Sequence, residues 1–551
     1  MALNTPGTRE GSTAGALGAA SVPLSLCMIV RDAAGTLPAC LAGIHEWVDE
    51  MVVVDTGSVD DTPAVAAAFG ARVFRVPWQD SFAAGRNESF ARARGRWLFW
   101  MDADDVIDAD NARRLRAVAL ADDAPADLLG HVVRVHCPGG GGDNEPGEDG
   151  SAGVVGEGVT AVDHVKLVRN RPDVRFSGRI HEQLLPAIRR AGGRVGWTDL
   201  FVVHAGADRS AAGQRKKLDR DLRLLALELS DHPGHTFALF NLGMTLAAAG
   251  RPDEALAALY ASREAAGDAD SHLRKVFALI AACEAAAGRA GRAADACAAG
   301  LALFPEDPEL LFRRASLWQR VGRPADAVRL YRRLLCRDRV PRHFTSVDLG
   351  LVGYKARHNL ATALEEVGDL SAAETEYRLA TTAAPTFRPA WRGLFAVLLR
   401  QGRAAVVAED LDRLAAASSA APAVPALGAE LAVQRAAVTE AAGDLAIARR
   451  TLASAAERHP NDPEVLRARC RFLFTHGPDN EAATALARLV HRHPTDASAL
   501  HNLATVRLRS GARSDAADLY RRSLKVRPHH PPTLSLLHEA EGSKLTQAPA
   551  I

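Results

Sequence analysis

Short apolar runs alternate with amphipathic stretches in the first part of the chain. Leu24-Ser25-Leu26-Cys27-Met28-Ile29-Val30 reads as a buried strand, and the spacing after it predicts a helix from about Pro38 to Glu46. Met51 to Val54 is a second strand, closed by Asp55-Thr56-Gly57-Ser58. The next helix begins at Thr62-Pro63, with Thr62 as N-cap and proline in the first turn. Arg72 to Val76 is a third strand, Phe82 to Arg94 a helix, and Trp97 to Met101 a fourth strand. Strand-like pieces return at Val165 to Val168 and Leu200 to Val203. Strands that alternate with helices in this way predict a mostly parallel sheet with helices on both faces, over residues 22–207.

The pattern changes near Gln214. Leu218, Leu222, Leu225 and Leu229 recur at helical spacing, and helices continue to the end. Gly250, Gly288, Gly322, Gly368, Gly402, Gly443, Gly477 and Gly511 each end a first helix. Five residues on stands a small or β-branched residue: Ala255, Ala293, Ala327, Ala373, Val407, Ala448, Ala482 and Ala516. Pro305, Pro385, Pro460, Pro494 and Pro528 close the second helix in five units. The commonest glycine-to-glycine interval is 34 residues, the period of tetratricopeptide repeats. Asn241-Leu242-Gly243, Asn359-Leu360-Ala361 and Asn502-Leu503-Ala504 match the first-helix core of that repeat, with Trp391 at its aromatic position. About eight such units over 236–530 predict an all-α superhelical solenoid whose concave face binds a protein or peptide. The remaining divisions are a flexible tail (1–21), a helical linker (208–235), and a capping helix with a flexible tail (531–551). Pro138 to Gly158, with nine glycines and five acids, reads as a mobile insertion.

A chain of 551 residues needs more than one core. A net charge of +1 gives no electrostatic case for nucleic acid or an anionic membrane. No apolar run reaches the length of a transmembrane helix. The seven cysteines lack metal-site spacing, which points to a reducing, cytoplasmic location.

The chemistry lies at the strand ends. Trp97-Leu98-Phe99-Trp100-Met101 runs straight into Asp102-Ala103-Asp104-Asp105. Acids at the open end of a sheet occupy the place where α/β proteins bind ligands, and two of them can hold a divalent cation. Asp55 ends another strand and can accept hydrogen bonds from a base or ribose; by itself its segment reads equally well as a plain turn. Asp105 reads as the cap of the next helix.

In order, the chain shows strand, Asp-Thr-Gly-Ser, helix, strand, Arg-Asn, helix, strand, Asp-x-Asp. With Ser25-Leu26-Cys27-Met28-Ile29-Val30-Arg31, Phe82-Ala83-Ala84-Gly85-Arg86-Asn87 and Arg179-Ile180-His181-Glu182-Gln183, this resembles family 2 glycosyltransferases of the GT-A fold, above all bacterial members with a C-terminal tetratricopeptide array. The resemblance implies a nucleotide-sugar donor, taken as a UDP-sugar, and a manganese or magnesium ion. It implies that Val30 and Arg31 line the base pocket and that Asp55 binds base or ribose. Arg86 would reach a phosphate or ribose, with Asn87 orienting the loop. Asp102 would contact ribose or sugar and join Asp104 and His204 around the metal. An inverting transfer needs one base, for which Glu182 and His181 are the candidates. After Arg31 the family usually shows Asn-Glu, whereas this chain has Asp32-Ala33.

Two other readings stand beside this one: an inactive interaction scaffold that keeps a nucleotide-binding domain, and a nucleotidyltransferase. The second lacks the expected glycine-rich phosphate loop, since Arg31 to Thr36 holds only Gly35. The repeats would bind the acceptor, a partner enzyme or a second copy of the chain.

Overall fold

A computed structural model describes residues 22–121, 125–138, 159–206, 210–268, 270–336, 344–411, 427–527 and 530–542. The expected tails at 1–21 and beyond 542, and the 138–158 insertion apart from Pro138, lie outside them. The described residues divide into two compact units: the first takes those of 22–138, 160–276 and 344–347, and the second takes the remainder.

In the first unit β1 (Leu24–Val30), α1 (Leu37–Ile44), β2 (Glu50–Asp55), α2 (Thr62–Ala68), β3 (Arg72–Arg75), α3 (Phe82–Arg92) and β4 (Trp97–Trp100) follow in the expected alternation. Then come β5 (Asp105–Val106), α4 (Ala109–Leu120), β6 (Leu128–Pro138), β7 (Val159–Arg169), α5 (Leu185–Arg190) and β8 (Arg194–His204). In the sheet these strands lie in the order β3-β2-β1-β4-β7-β6-β8-β5. β1 runs parallel to β2 and β4, β2 to β3, and β6 to β8, while β4–β7 and β5–β8 are antiparallel.

The apolar runs are continuous because both sheet faces are covered. Leu24, Leu26, Met28, Trp97, Phe99 and Met101 point into the core shared with α1 and α4. Cys27, Leu98 and Trp100 point the other way, into the core with Ala83 and Phe90 of α3. The period of two thus sends alternate residues of β1 and β4 to opposite helical layers.

Two local expectations change. Thr62 is the first residue of α2, and Asp61 occupies the cap. The expected linker contains a long helix, α6 (Ala211–Asp231), packed within the first unit. Its Leu224 and Leu225 bury against Ile180, and Arg179 donates its backbone N–H to Glu228 Oε2 at 2.8 Å. Arg223 pairs with Asp80 at 2.6 Å. The first repeat pair, Thr236–Ala248 and Pro252–Ala265, also belongs to this unit, so the division falls after Val276 rather than before the repeats.

The second unit is a stack of antiparallel helix pairs, such as Pro308–Arg320 with Pro324–Leu335 and Tyr354–Glu366 with Leu370–Ala383. Ala293, Ala327, Ala373, Val407, Ala448, Ala482 and Ala516 have no exposed surface, which is what close helix approach requires. Gly322 ends its helix at φ +73°, a conformation costly for a side chain. Gly477 does so differently, at φ −99°, with Pro478 next. Pro528 lies outside the described residues. Pro531–Ala540 forms the capping helix.

Ion pairs lace the first helices of successive repeats. Arg388 binds Glu430 at 3.0 Å and reaches Asp462 at 2.9 Å. Asp462 in turn caps helix Pro463–His476. Arg392 pairs with Glu464 at 2.8 Å, and Arg467 with Asp496 at 2.8 Å.

Candidate active site

The C-terminal ends of β1, β2 and β4 meet at one edge of the first unit's sheet. Val30 and Asp55 are register partners there. Val30 was expected to line a base pocket. Its side chain instead belongs to the core, and its carbonyl accepts from Thr56 N at 3.0 Å and Thr56 Oγ1 at 3.1 Å. Arg31 is exposed. Asp32, next to the Ala33 that stands where the Glu is missing, turns the chain at φ +48° and accepts from Val59 N at 2.8 Å. It therefore ties the loops after β1 and β2 together. Asp55 is fully buried, and its Oδ1 accepts from Ser58 N at 3.0 Å and Ser58 Oγ at 2.6 Å. Its Oδ2 makes no hydrogen bond among the described residues, with Arg75 Nε 3.6 Å away. A buried carboxylate oxygen left in that state suits the donor groups of a base or ribose.

Arg86 is carried into the site by α3, whose start is capped by Ser81 accepting from Ala84 N at 3.1 Å. The guanidinium is nearly buried and does not reach out for a phosphate. Nη2 donates to Asp102 Oδ1 at 2.7 Å, Nε donates to Glu182, and the group lies 4.2 Å from the centroid of the Trp100 ring. Burial works against its charge, but the two carboxylates outweigh that and hold its pKa above the ordinary value. Burial pushes Asp102 the other way, and Arg86 keeps its carboxyl below the usual range. Asn87 clamps the Phe176 backbone from both sides, donating to its carbonyl at 3.0 Å and accepting from its N–H at 2.9 Å. The segment leading to Glu182 is thereby fixed to the helix that carries Arg86.

Beside this bridge lies a second cluster. Asp105 does not cap α4; Asp108 does, accepting from Asn111 N at 2.8 Å. Asp105 is buried with both oxygens engaged. Oδ2 accepts from Lys166 Nζ at 2.7 Å and Asp102 N at 3.1 Å, and Oδ1 faces His204 Nδ1 at 3.0 Å. Burial opposes its charge, yet Lys166 and His204 hold its carboxyl far below the usual range. His204 Nε2 stands 3.4 Å from Asp104 Oδ2. The bond to Asp105 raises the His204 pKa, while burial raises that of Asp104. Lys166 has no place in the motifs above. A lone lysine within the apolar run Val165 to Val168 is the signal, since a buried ammonium requires a carboxylate.

His181 sits at φ +52°, unusual for a non-glycine residue. Its Nε2 is buried without a hydrogen-bond partner among the described residues, and burial lowers its pKa. Arg86, Asp102 and Glu182 are thus joined, as are Asp104, Asp105 and His204. The run Arg215-Lys216-Lys217 is exposed.

Among the described residues, Asp102, Asp105 and His204 bring ligand atoms within 4.8 Å of one another, where the expected set had Asp102, Asp104 and His204. Asp105 is already neutralised by Lys166, however. The donors left for an ion are the Asp104 carboxylate, which burial penalises while it stays charged, His204 Nε2, and Asp102 beside them. Hard oxygens with one imidazole fit manganese or magnesium.

The family model for glycosyl transferase family 2 matches residues 25–148, and tetratricopeptide repeat models match 354–387 and 499–532. A TPR repeat-containing protein of Synechococcus elongatus is 35% identical over 233 residues, which is 41% of this chain and 53% of that protein. The succinoglycan biosynthesis protein ExoO of Rhizobium meliloti is 37% identical over 82 residues, 14% of this chain and 23% of that one. An uncharacterized glycosyltransferase of Rickettsia felis is 31% identical over 86 residues, 15% and 29% of the two chains. The chain spans about half or less of the length of these curated relatives. The N-terminal α/β part thus carries the match to glycosyl transferase family 2, over residues 25–148, and the helical array after it carries the matches to tetratricopeptide repeats.

Proposed function

We propose that the chain transfers a sugar, with inversion and with a divalent cation, from a nucleotide-sugar donor to an acceptor recruited by the repeats. The observation that carries this is the junction of Arg86 with Asp102 and Glu182, beside the Asp104–His204 pair. It supports the reading because one guanidinium gathers Asp102, for the donor side, and Glu182, for the acceptor side, beside the candidate cation ligands. Asp55 binds the base or ribose through Oδ2, and UDP is the nucleotide first to be tried. Asp104 and His204, with Asp102, hold manganese or magnesium, which when bound offsets the negative charge of a diphosphate leaving group. Glu182, oriented by Arg86, takes the proton from the acceptor's nucleophilic atom as that atom attacks the anomeric carbon and the nucleoside diphosphate leaves. His181, uncharged in its buried position, is the other candidate for that proton. The acceptor is a protein or peptide held on the concave face of the repeats.

Donor hydrolysis and thermal stabilisation with a panel of UDP- and GDP-sugars and manganese test this reading. Turnover or stabilisation with one donor supports it. Absence of both with every donor overturns it in favour of an interaction scaffold.

A further inference from the structure

Asp105 and Lys166 take no part in the transfer as proposed, yet they form the most deeply buried ion pair at the site, each side chain only 1% exposed. Lys166 Nζ also lies 3.8 Å from the centroid of the Trp100 ring, so the ammonium is enclosed by an anion and an aromatic face. With Oδ2 accepting from Lys166 Nζ and Asp102 N, Oδ1 is the acceptor turned toward His204. The ring nitrogen facing it, His204 Nδ1 at 3.0 Å, therefore bears the hydrogen. That leaves Nε2 as the nitrogen with a lone pair to offer, and Nε2 is the one beside Asp104. The backbone enforces the same arrangement. Asp105 is paired with His204 across β5 and β8, and Ala205 N donates to Asp104 O at 2.9 Å.

We propose that Asp105 is a positioning residue, not a metal ligand: it holds the His204 ring with Nδ1–H on its own carboxylate and Nε2 turned toward Asp104, while Lys166 keeps it out of the cation's coordination. The inference rests on the cation-dependent reading above. A carboxylate that orients a ligating histidine through its second nitrogen typically accounts for about 10- to 100-fold in metal affinity.

The test uses the full chain and manganese alone. Free manganese is titrated by electron paramagnetic resonance, and pulsed spectra of the loaded protein report any ¹⁴N coupled to the ion. The unaltered chain is expected to show ¹⁴N modulation that His204→Phe removes. Asp105→Ala should bind manganese about tenfold more weakly and lose the modulation. Asp105→Asn, which keeps an oxygen for Nδ1–H, should retain it. If Asp105→Ala does not fold, Asp105→Asn alone decides: modulation kept at reduced affinity supports the proposal, and modulation lost overturns it. Asp105→Ala with unchanged affinity and unchanged modulation also overturns it, as does an unaltered chain that binds manganese without ¹⁴N modulation or binds none. Either of these last results leaves sugar transfer standing. Modulation as expected with no turnover of any donor would instead remove the glycosyltransferase reading and keep this one.

Discussion

Arg86 Nη2 lies 2.7 Å from Asp102 Oδ1, and the other edge of the same guanidinium holds Glu182, 96 residues away in sequence. A family resemblance assigns such an arginine to the ligand. Here its charge is spent on joining the acid at the end of β4 to the acid after Phe176.

Arg86→Met should therefore destabilise the first unit by about 3 kcal/mol, because it leaves Glu182 nearly buried and without its guanidinium. Arg86→Lys should recover only part of this, since one ammonium cannot reproduce a planar fork that serves two carboxylates. Denaturant unfolding of the full chain, followed through the transition of the first unit, measures both.

Asp104→Asn should leave the metal-free protein at least as stable as the parent near neutral pH. Burial raises the folded-state pKa of Asp104, so its charged form is a cost in the folded protein, not a gain. The variant should lose manganese-induced stabilisation and donor turnover together. A clear fall in the metal-free melting temperature would remove this account of Asp104.

Gly393→Ala should weaken the second unit by about 1–3 kcal/mol. A Cβ there would meet the Tyr377 ring and come within 2.6 Å of its hydroxyl. That ring cannot move aside freely, because its hydroxyl donates to Glu365 at 2.6 Å. Thermal melts of the variant check the effect.

The second unit should also lose stability in acid through His358. Burial, helped by Arg392, lowers its pKa from 6.5 to about 4, and its Nδ1 has no hydrogen-bond partner among the described residues. The unfolded chain then binds the proton more readily than the folded one. Stability is full above about pH 6.5 and falls as the pH drops toward 4, by on the order of 2 kcal/mol after allowance for partial exposure. His358→Leu should flatten that part of the stability–pH curve.

What the sequence revealed and what it hid follow from burial. β1 and β4 were legible because strands covered on both faces are apolar throughout, and the repeats because each glycine and alanine answers a recurring steric demand. β6 was not, because His131, Arg134 and His136 interrupt its valines. The acids at 102, 104, 105 and 108 all precede a helix, and only the pairing of β5 with β8 decides that Asp105 stays in the sheet while Asp108 caps. α6 read as a linker because an amphipathic pattern does not say which surface it will cover. Val30 looked like a pocket residue because its place in the motif does not reveal which sheet face its side chain takes.

Arg388 has a consequence for how the array comes apart. Solenoids are commonly additive, each unit gripping only the next, so that their ends fray singly. Arg388 grips Glu430 on the adjoining first helix and also the cap of the first helix beyond it. Removing the segment that carries Arg388 takes the partner from a carboxylate in each of the other two, and removing either of those takes one partner from Arg388. The helices Arg388–Arg400, Leu427–Ala441 and Pro463–His476 should hence melt together, a splint that resists fraying from either end.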